Sequence, residues 1–134
     1  MVLDELFTLA LQGADRAYAP YSHWPVGAAV LGEDGRVFVG CNVENVSYGL
    51  TCCAERTALF KMISEGCRRF TAMAVVSGDD CTGFPCGACR QVMAEFAADP
   101  STPVLVAGRS GSRRTLTVAE LLPYAFKKET LLHE

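Results

Sequence analysis

The 134-residue chain carries 12 basic and 15 acidic side chains, which give it a formal net charge of -3, and half of its residues are apolar. This composition predicts one globular domain over residues 1–134 and gives no electrostatic basis for nucleic acid or an anionic membrane as a partner. No apolar run approaches the roughly 18 to 20 residues of a membrane span, and Asp4 and Glu5 stand where a secretory signal would carry bases, so we expect a cytoplasmic protein.

The predicted elements begin with an amphipathic helix over residues 4–17, where apolar residues recur at helical spacing. Two apolar runs, 26–31 and 36–41, flank the turn signal Asp34-Gly35 and so predict a β-hairpin. Residues 42–51 are polar and lack a clear period, which favours a loop.

Helices and strands then alternate. Helices are predicted over 53–65 and 86–98, and a capping box at Thr117-Val118-Ala119-Glu120 predicts a short helix ending near Pro123. Strands are predicted over 70–77, which is apolar enough to be buried on both faces, and over 103–107. The strand–helix–strand–helix–strand run implies parallel pairing with right-handed crossovers, and the hairpin makes the sheet mixed. We therefore expect an α/β fold, a three-layer α/β/α sandwich, where two helix N-termini converge if loops 42–51 and 78–85 share one sheet edge.

The chain has seven cysteines, an odd number, and shows no export signal, which disfavours a disulfide framework and favours a metal or catalytic role. Cys41 and Cys67 are expected to be small buried hydrophobes. The others are Cys52, Cys53, Cys81, Cys86 and Cys89.

Two stretches combine into a candidate metal site. In Pro85-Cys86-Gly87-Ala88-Cys89 the two thiols lie three residues apart, on one face of a first helical turn, and Cys53-Ala54-Glu55-Arg56 offers a third thiol at the start of another helix. A helix N-terminus favours thiolate over thiol. Three thiolates with one open position are typical of a catalytic rather than a closed structural zinc site.

The thiolates leave zinc and its ligands with one net negative charge, which makes the metal a weaker Lewis acid. A neighbouring general base would help to activate water, and Glu55 is the obvious candidate. Arg56 and Arg90 each follow a ligand stretch and could offset the excess negative charge.

The sequence resembles the cytidine deaminase family, in its short, three-cysteine form acting on free nucleosides. The resemblance covers nearly the whole chain and implies a mainly five-stranded mixed sheet, one zinc per subunit and a homotetramer. It rests on Cys53-Ala54-Glu55 and Pro85-Cys86-Gly87-Ala88-Cys89 together with Tyr18-Ala19-Pro20-Tyr21-Ser22, Val26-Gly27-Ala28-Ala29, Gly40-Cys41-Asn42-Val43-Glu44-Asn45, Cys89-Arg90-Gln91 and Leu121-Leu122-Pro123-Tyr124-Ala125-Phe126.

The resemblance implies hydrolysis of cytidine and 2'-deoxycytidine to uridine and 2'-deoxyuridine with release of ammonia, in pyrimidine salvage. Zinc, held by Cys53, Cys86 and Cys89, would carry the hydroxide that attacks C4, while Glu55 shuttles protons. The Ala54 N–H would hold the base carbonyl, and the Phe84 carbonyl would accept from the 4-amino group.

The same resemblance assigns the remaining pocket residues. Asn42 and Glu44 match the sugar-binding positions, and Tyr48 and Phe126 match positions that reach a neighbouring subunit's site. Trp24 departs from the family, which commonly has phenylalanine there to pack on the base.

Several alternatives stay open at this point. Cys52 could compete with Cys53 as ligand, Asn42 could merely shape a turn, Trp24 and Phe126 could be core or interface aromatics, and the arginines could be surface residues. A deaminase for a modified cytosine compound such as blasticidin is the nearest enzyme alternative, a polynucleotide deaminase fits the acidic chain less well, and a zinc-stapled binding module would leave Glu55 unexplained. His23 and His133 are expected at the surface.

Overall fold

The computed structural model describes residues 2–78 and 83–132. The elements within them are α1 (Val2–Ala14), β1 (Val26–Gly32), β2 (Val37–Cys41), a 3-10 turn (Tyr48–Leu50), α2 (Ala54–Ser64), β3 (Phe70–Ser77), α3 (Gly87–Phe96), β4 (Pro103–Gly108), β5 (Arg113–Thr117), α4 (Val118–Leu121) and α5 (Lys128–Leu132).

These bounds confirm the predicted hairpin, the long helices and the buried strand 70–77, with ends shifted by up to three residues. The predicted capping box is present at the start of α4, where the Thr117 side chain accepts from the Glu120 N–H and the Glu120 carboxylate accepts from the Thr117 N–H. The strand at residues 113–117 was not predicted, because it has no run of apolar residues. Its residues Arg113, Arg114 and Thr115 are polar and exposed, as is usual on a sheet edge.

The five strands form one mixed sheet in the order β2-β1-β3-β4-β5. β3 and β4 pair in parallel, as predicted, whereas β1 pairs antiparallel with both β2 and β3. Across the first crossover β2 and β3 therefore run in the same direction, but the expectation that they pair is wrong, since the hairpin places β1 between them. The α/β class and the mixed five-stranded sheet are confirmed.

Apolar side chains cover the two faces of the sheet separately, which makes the three layers. One cluster packs α1 against small sheet residues, including Ala29, Ala74 and Ala107. The other buries α2 and α3 against the opposite face, with Phe70 and Met93 fully buried. Gly40 lets α2 approach closely, because a Cβ at this position would lie 2.5 Å from the Ala58 nitrogen.

The thiols outside the ligand stretches show two environments. Cys67 is buried, as expected, but Cys41 is only partly buried, since it lies on the outer strand β2 with its Sγ 3.5 Å from the Arg16 carbonyl oxygen. Cys81 and His133 lie outside the described residues, and His23 is exposed as predicted. No helix within 2–78 and 83–132 is long and apolar enough to cross a bilayer.

Candidate active site

The starts of α2 and α3 meet at one edge of the sheet. Cys53 is the N-cap of α2 and Cys86 is the N-cap of α3, and their sulfur atoms lie 3.7 Å apart. Cys89 follows in the first turn of α3, and its backbone N–H donates to the Cys86 sulfur at 3.4 Å. The convergence of two helix N-termini predicted from the sequence therefore occurs, and it brings three thiols together.

The three sulfur atoms fit a tetrahedral zinc ion. All of them lie within 4.8 Å of one another, and they form the one cluster of potential metal ligands among the described residues. A zinc ion about 2.3 Å from each sulfur, with tetrahedral angles, requires sulfurs about 3.8 Å apart. The Cys53–Cys86 separation of 3.7 Å meets that requirement.

Cys52 does not join this cluster. Its Sγ lies 3.7 Å from the Cys53 carbonyl oxygen and accepts from the Thr57 hydroxyl at 3.6 Å. Cys52 is therefore engaged along the side of α2, and it does not compete with Cys53 as a ligand.

The electrostatics of the thiols favour metal binding. A hydrogen bond from Cys89, followed by one from Arg56, lowers the pKa of Cys53 to about 5. The same contact raises the pKa of Cys89, because its proton is held against the Cys53 sulfur. Cys53 thus carries thiolate character at neutral pH, the form that ligates zinc.

The two arginines contact different partners. Arg56 donates from a terminal guanidinium nitrogen to the Cys53 sulfur at 3.5 Å, and none of the ion pairs in the described part of the chain involves it. Arg90 instead donates to the carbonyl oxygens of Pro85, at 2.7 Å, and Leu121, at 2.9 Å. Arg56 places positive charge directly on the thiol cluster, whereas Arg90 fixes the backbone beside it.

Glu55 lies at the second position of α2 and is only 4% exposed. Burial raises the pKa of its carboxyl group to about 7, well above the usual value for glutamate. A carboxyl group that is buried near three thiols is not the solvated surface glutamate that an isolated sequence position would suggest.

A cavity of about 250 Å³ lies over this cluster. Its lining is Ser22, Trp24, Val26, Asn42, Glu44, Thr51, Cys53, Ala54, Glu55, Val75, Gly83, Phe84 and Cys86. The Ala54 N–H, at the first position of α2, has no acceptor within the helix. The cavity therefore offers thiols, a buried carboxyl group and a free helix-end donor to one small molecule.

Asn42 and Glu44 lie in the cavity wall and hold the segment that precedes β1. Asn42 accepts from the Val26 N–H at 2.9 Å and donates to the Trp24 carbonyl at 3.1 Å. Glu44 accepts from the Tyr21 and Ser22 N–H groups at 3.0 and 3.1 Å and from the Ser22 hydroxyl. These bonds lower the pKa of Glu44, the Ser22 hydroxyl contributing most. Each side chain keeps hydrogen-bonding capacity beyond these contacts.

The other predicted binding residues divide into two groups. Trp24 and Phe84 line the cavity and are 39% and 47% exposed. Tyr48 and Phe126 do not line it; they are 74% and 59% exposed, and Phe126 borders a different cavity, of about 280 Å³, beneath the C-terminal segment. Trp24 and Phe126 are therefore not core residues of the chain.

Five residues of this wall received no site role from the sequence: Ser22, Val26, Thr51, Val75 and Gly83. Ser22 and Gly83 are the two of them that lie against Trp24. Ser22 stands two residues before Trp24, and its Oγ accepts from the Trp24 N–H at 3.1 Å, an arrangement that the serine-turn preference of such spacing could have indicated. No sequence signal marks Gly83, whose importance arises from a contact across the fold.

The chain is similar to known deaminases over nearly its whole length. The model of the cytidine and deoxycytidylate deaminase zinc-binding region matches residues 2–104. A cytidine deaminase of Sporosarcina psychrophila is 50% identical over 131 residues, covering 98% of this chain and 96% of that protein. One of Halalkalibacterium halodurans is 52% identical over 122 residues, covering 91% and 92%. The crystal structure of cytidine deaminase from Burkholderia pseudomallei has a TM-score of 0.88 at 48% identity, covering 94% of this chain and 100% of that one.

Proposed function

The chain belongs to the cytidine deaminase family, and on that premise we propose that it hydrolyses cytidine and 2'-deoxycytidine to uridine and 2'-deoxyuridine with release of ammonia. It is a zinc-dependent cytidine deaminase, and the cluster of Cys53, Cys86 and Cys89 binds the zinc. The observation that supports the proposal best is the buried Glu55, which lines one cavity together with Cys53 and Cys86 of the three-thiol cluster. On this proposal residues 1–134 form a single zinc-dependent nucleoside deaminase domain that acts in pyrimidine salvage.

The metal and the carboxyl group have separate tasks. Zinc, when bound, supplies Lewis acidity that makes water a better nucleophile at neutral pH. Glu55 accepts a proton from the attacking water, delivers it to N3 of the cytosine ring, and later helps to protonate the leaving amine. Water adds to C4 and the bond from C4 to the amino nitrogen breaks, so that water and cytidine give uridine and ammonia. Enclosure of Glu55 keeps bulk water from competing for this proton.

Backbone groups orient the base. We assign the Ala54 N–H to the base carbonyl and the Phe84 carbonyl to the 4-amino group. The Ala54 donor carries the partial positive charge of a helix N-terminus, which strengthens its bond to a carbonyl oxygen. Arg90 supports the second contact indirectly, since it holds the adjacent Pro85 carbonyl.

The sugar is assigned to Asn42 and Glu44. The Asn42 amide has a second N–H besides the one given to Trp24, and the Glu44 carboxylate retains acceptor positions beyond its bonds to Tyr21 and Ser22. A donor beside an acceptor is suited to a ribose hydroxyl. Nucleosides are therefore preferred over the free base.

Arg56 is assigned the compensation of thiolate charge, because it donates directly to the Cys53 sulfur. Arg90 adds positive charge at longer range. Reduced thiols are needed for the metal site, which supports a cytoplasmic location.

We further propose that the protein assembles into a homotetramer in which neighbours complete the pockets. Tyr48, Tyr124 and Phe126 have exposed aromatic rings. Burial of these rings against a neighbouring subunit would stabilise an assembly. A monomeric mass at micromolar concentration with full activity would contradict the assembly.

The experiment that tests the activity is a direct assay. Purified protein with about one zinc per chain should change the ultraviolet absorbance of cytidine and release one ammonia per nucleoside, and a chelator should abolish both. A zinc-loaded protein that releases no ammonia would instead support a zinc-stapled binding module. Faster turnover of a modified cytosine compound than of cytidine would favour that substrate class.

A further inference from the structure

Trp24 and Gly83 touch across the cavity wall. A Cβ at position 83 would lie 2.7 Å from Cη2 and 2.9 Å from Cζ2 of the Trp24 indole, closer than side-chain carbons approach one another. The φ of Gly83 is outside the left-handed region, so the backbone itself would accept alanine. The obstacle to a side chain at this position is the indole ring.

The backbone of Trp24 is fixed on both sides of its Cα. Its N–H donates to the Ser22 Oγ, which is itself bonded to the Glu44 carboxylate, and its carbonyl accepts from the Asn42 amide. The preceding residue, His23, has a φ of 57°, a conformation that side chains rarely adopt and that persists only where the surroundings hold it. The indole therefore cannot move aside by a simple shift of its backbone.

We infer that Gly83 is a positioning residue for Trp24: the missing side chain at 83 is the space that lets the large indole lie along the wall of the nucleoside cavity. This inference rests on the proposed function, because the cavity is taken to hold the nucleoside. Gly83 and Trp24 are not metal ligands, and neither has a titratable side chain. Displacing the indole should therefore weaken substrate binding and raise KM more than it lowers kcat.

The test compares four proteins: wild type, Gly83→Ala, Trp24→Phe, and the double variant. Gly83→Ala should raise the KM for cytidine about tenfold, as expected for an overpacked contact. In the Trp24→Phe background the same substitution should change KM less than about twofold, because the smaller ring leaves room for the Cβ. Equal effects of Gly83→Ala in the two backgrounds would overturn the inference.

Fluorescence separates this inference from the proposed activity. Trp24 is the single tryptophan of the chain, so all indole emission reports on this wall. Gly83→Ala should shift the emission maximum, whereas Gly49→Ala, where a Cβ meets nothing within 4 Å, should not. If wild type deaminates no cytidine, the activity proposal fails, and the emission shift still decides the contact.

Folding defects are also informative. If Gly83→Ala does not fold but the double variant does, the indole is the obstacle and the inference is supported. If both fail to fold, the glycine is required for another reason and the inference is wrong. An unchanged emission spectrum in a folded Gly83→Ala protein would also contradict it.

Discussion

Replacing Glu55 with glutamine removes its proton chemistry with little change of shape. Glu55 is 4% exposed, so bulk water has little access to substitute for the missing carboxyl group. General acid–base catalysis by a positioned side chain is worth about 10² to 10⁴ in rate, or about 3 to 5 kcal/mol of transition-state stabilisation. Because the proposed mechanism gives this group more than one proton transfer, we expect a loss near the upper end of that range in kcat.

The assay is the absorbance change of cytidine under saturating substrate, combined with metal analysis of each preparation. Glu55→Gln should retain about one zinc per chain, since the three thiols are untouched. Glu65→Gln, at the opposite end of α2 and exposed, is the matched control and should retain wild-type kcat. A Glu55→Gln protein with full zinc content and more than about a tenth of wild-type kcat would refute the assigned proton transfer.

Three further predictions concern the metal, the arginines and the sugar. Cys89→Ser should lose zinc and activity together, because Cys89 belongs to the thiol cluster. Cys67→Ser, outside the cluster, should keep about one zinc per chain, and metal analysis of both variants checks this difference. Arg56→Met should weaken zinc binding about 10- to 100-fold in a chelator competition, because the Cys53 sulfur loses a donor. Arg90→Met should mainly lower the melting temperature, because two backbone carbonyls lose their donor. The reverse pattern would contradict the assigned roles. Asn42→Ala should raise the KM for cytidine much more than that for free cytosine, and equal effects would remove the sugar contact.

Asn42 and Glu44 have two roles in the cavity wall, and a change in KM alone does not separate them. Their polar atoms hold the Trp24 segment as well as facing the cavity. Tryptophan emission therefore offers an internal check on both. A variant of either residue that raises KM and leaves the emission unchanged has lost a sugar contact, whereas a shifted emission indicates that the wall has moved.

The sequence was sufficient for the parts of the fold that local patterns encode. The hairpin at Asp34-Gly35, the buried strand β3 and the capping box of α4 each follow from the chemistry of a few adjacent residues, and each is present. The edge strand β5 and the position of β1 within the sheet were not predictable in this way. Strand order depends on contacts between segments that are distant in the sequence. A polar edge strand lacks the apolar pattern from which strands are predicted.

At the candidate active site, too, the sequence determined some features and only the tertiary structure decided others. The residue types and spacing in Cys53-Ala54-Glu55 and Pro85-Cys86-Gly87-Ala88-Cys89 determined that a thiolate metal site with a nearby carboxyl group was to be expected, because ligand chemistry is a property of the side chains themselves. Only the folded chain decided that Cys52 faces away, that Arg56 and not Arg90 touches a sulfur, and that Gly83 lies against Trp24. Those outcomes depend on how the sheet sets two helix ends and one loop against each other, and a one-dimensional pattern carries no such distances.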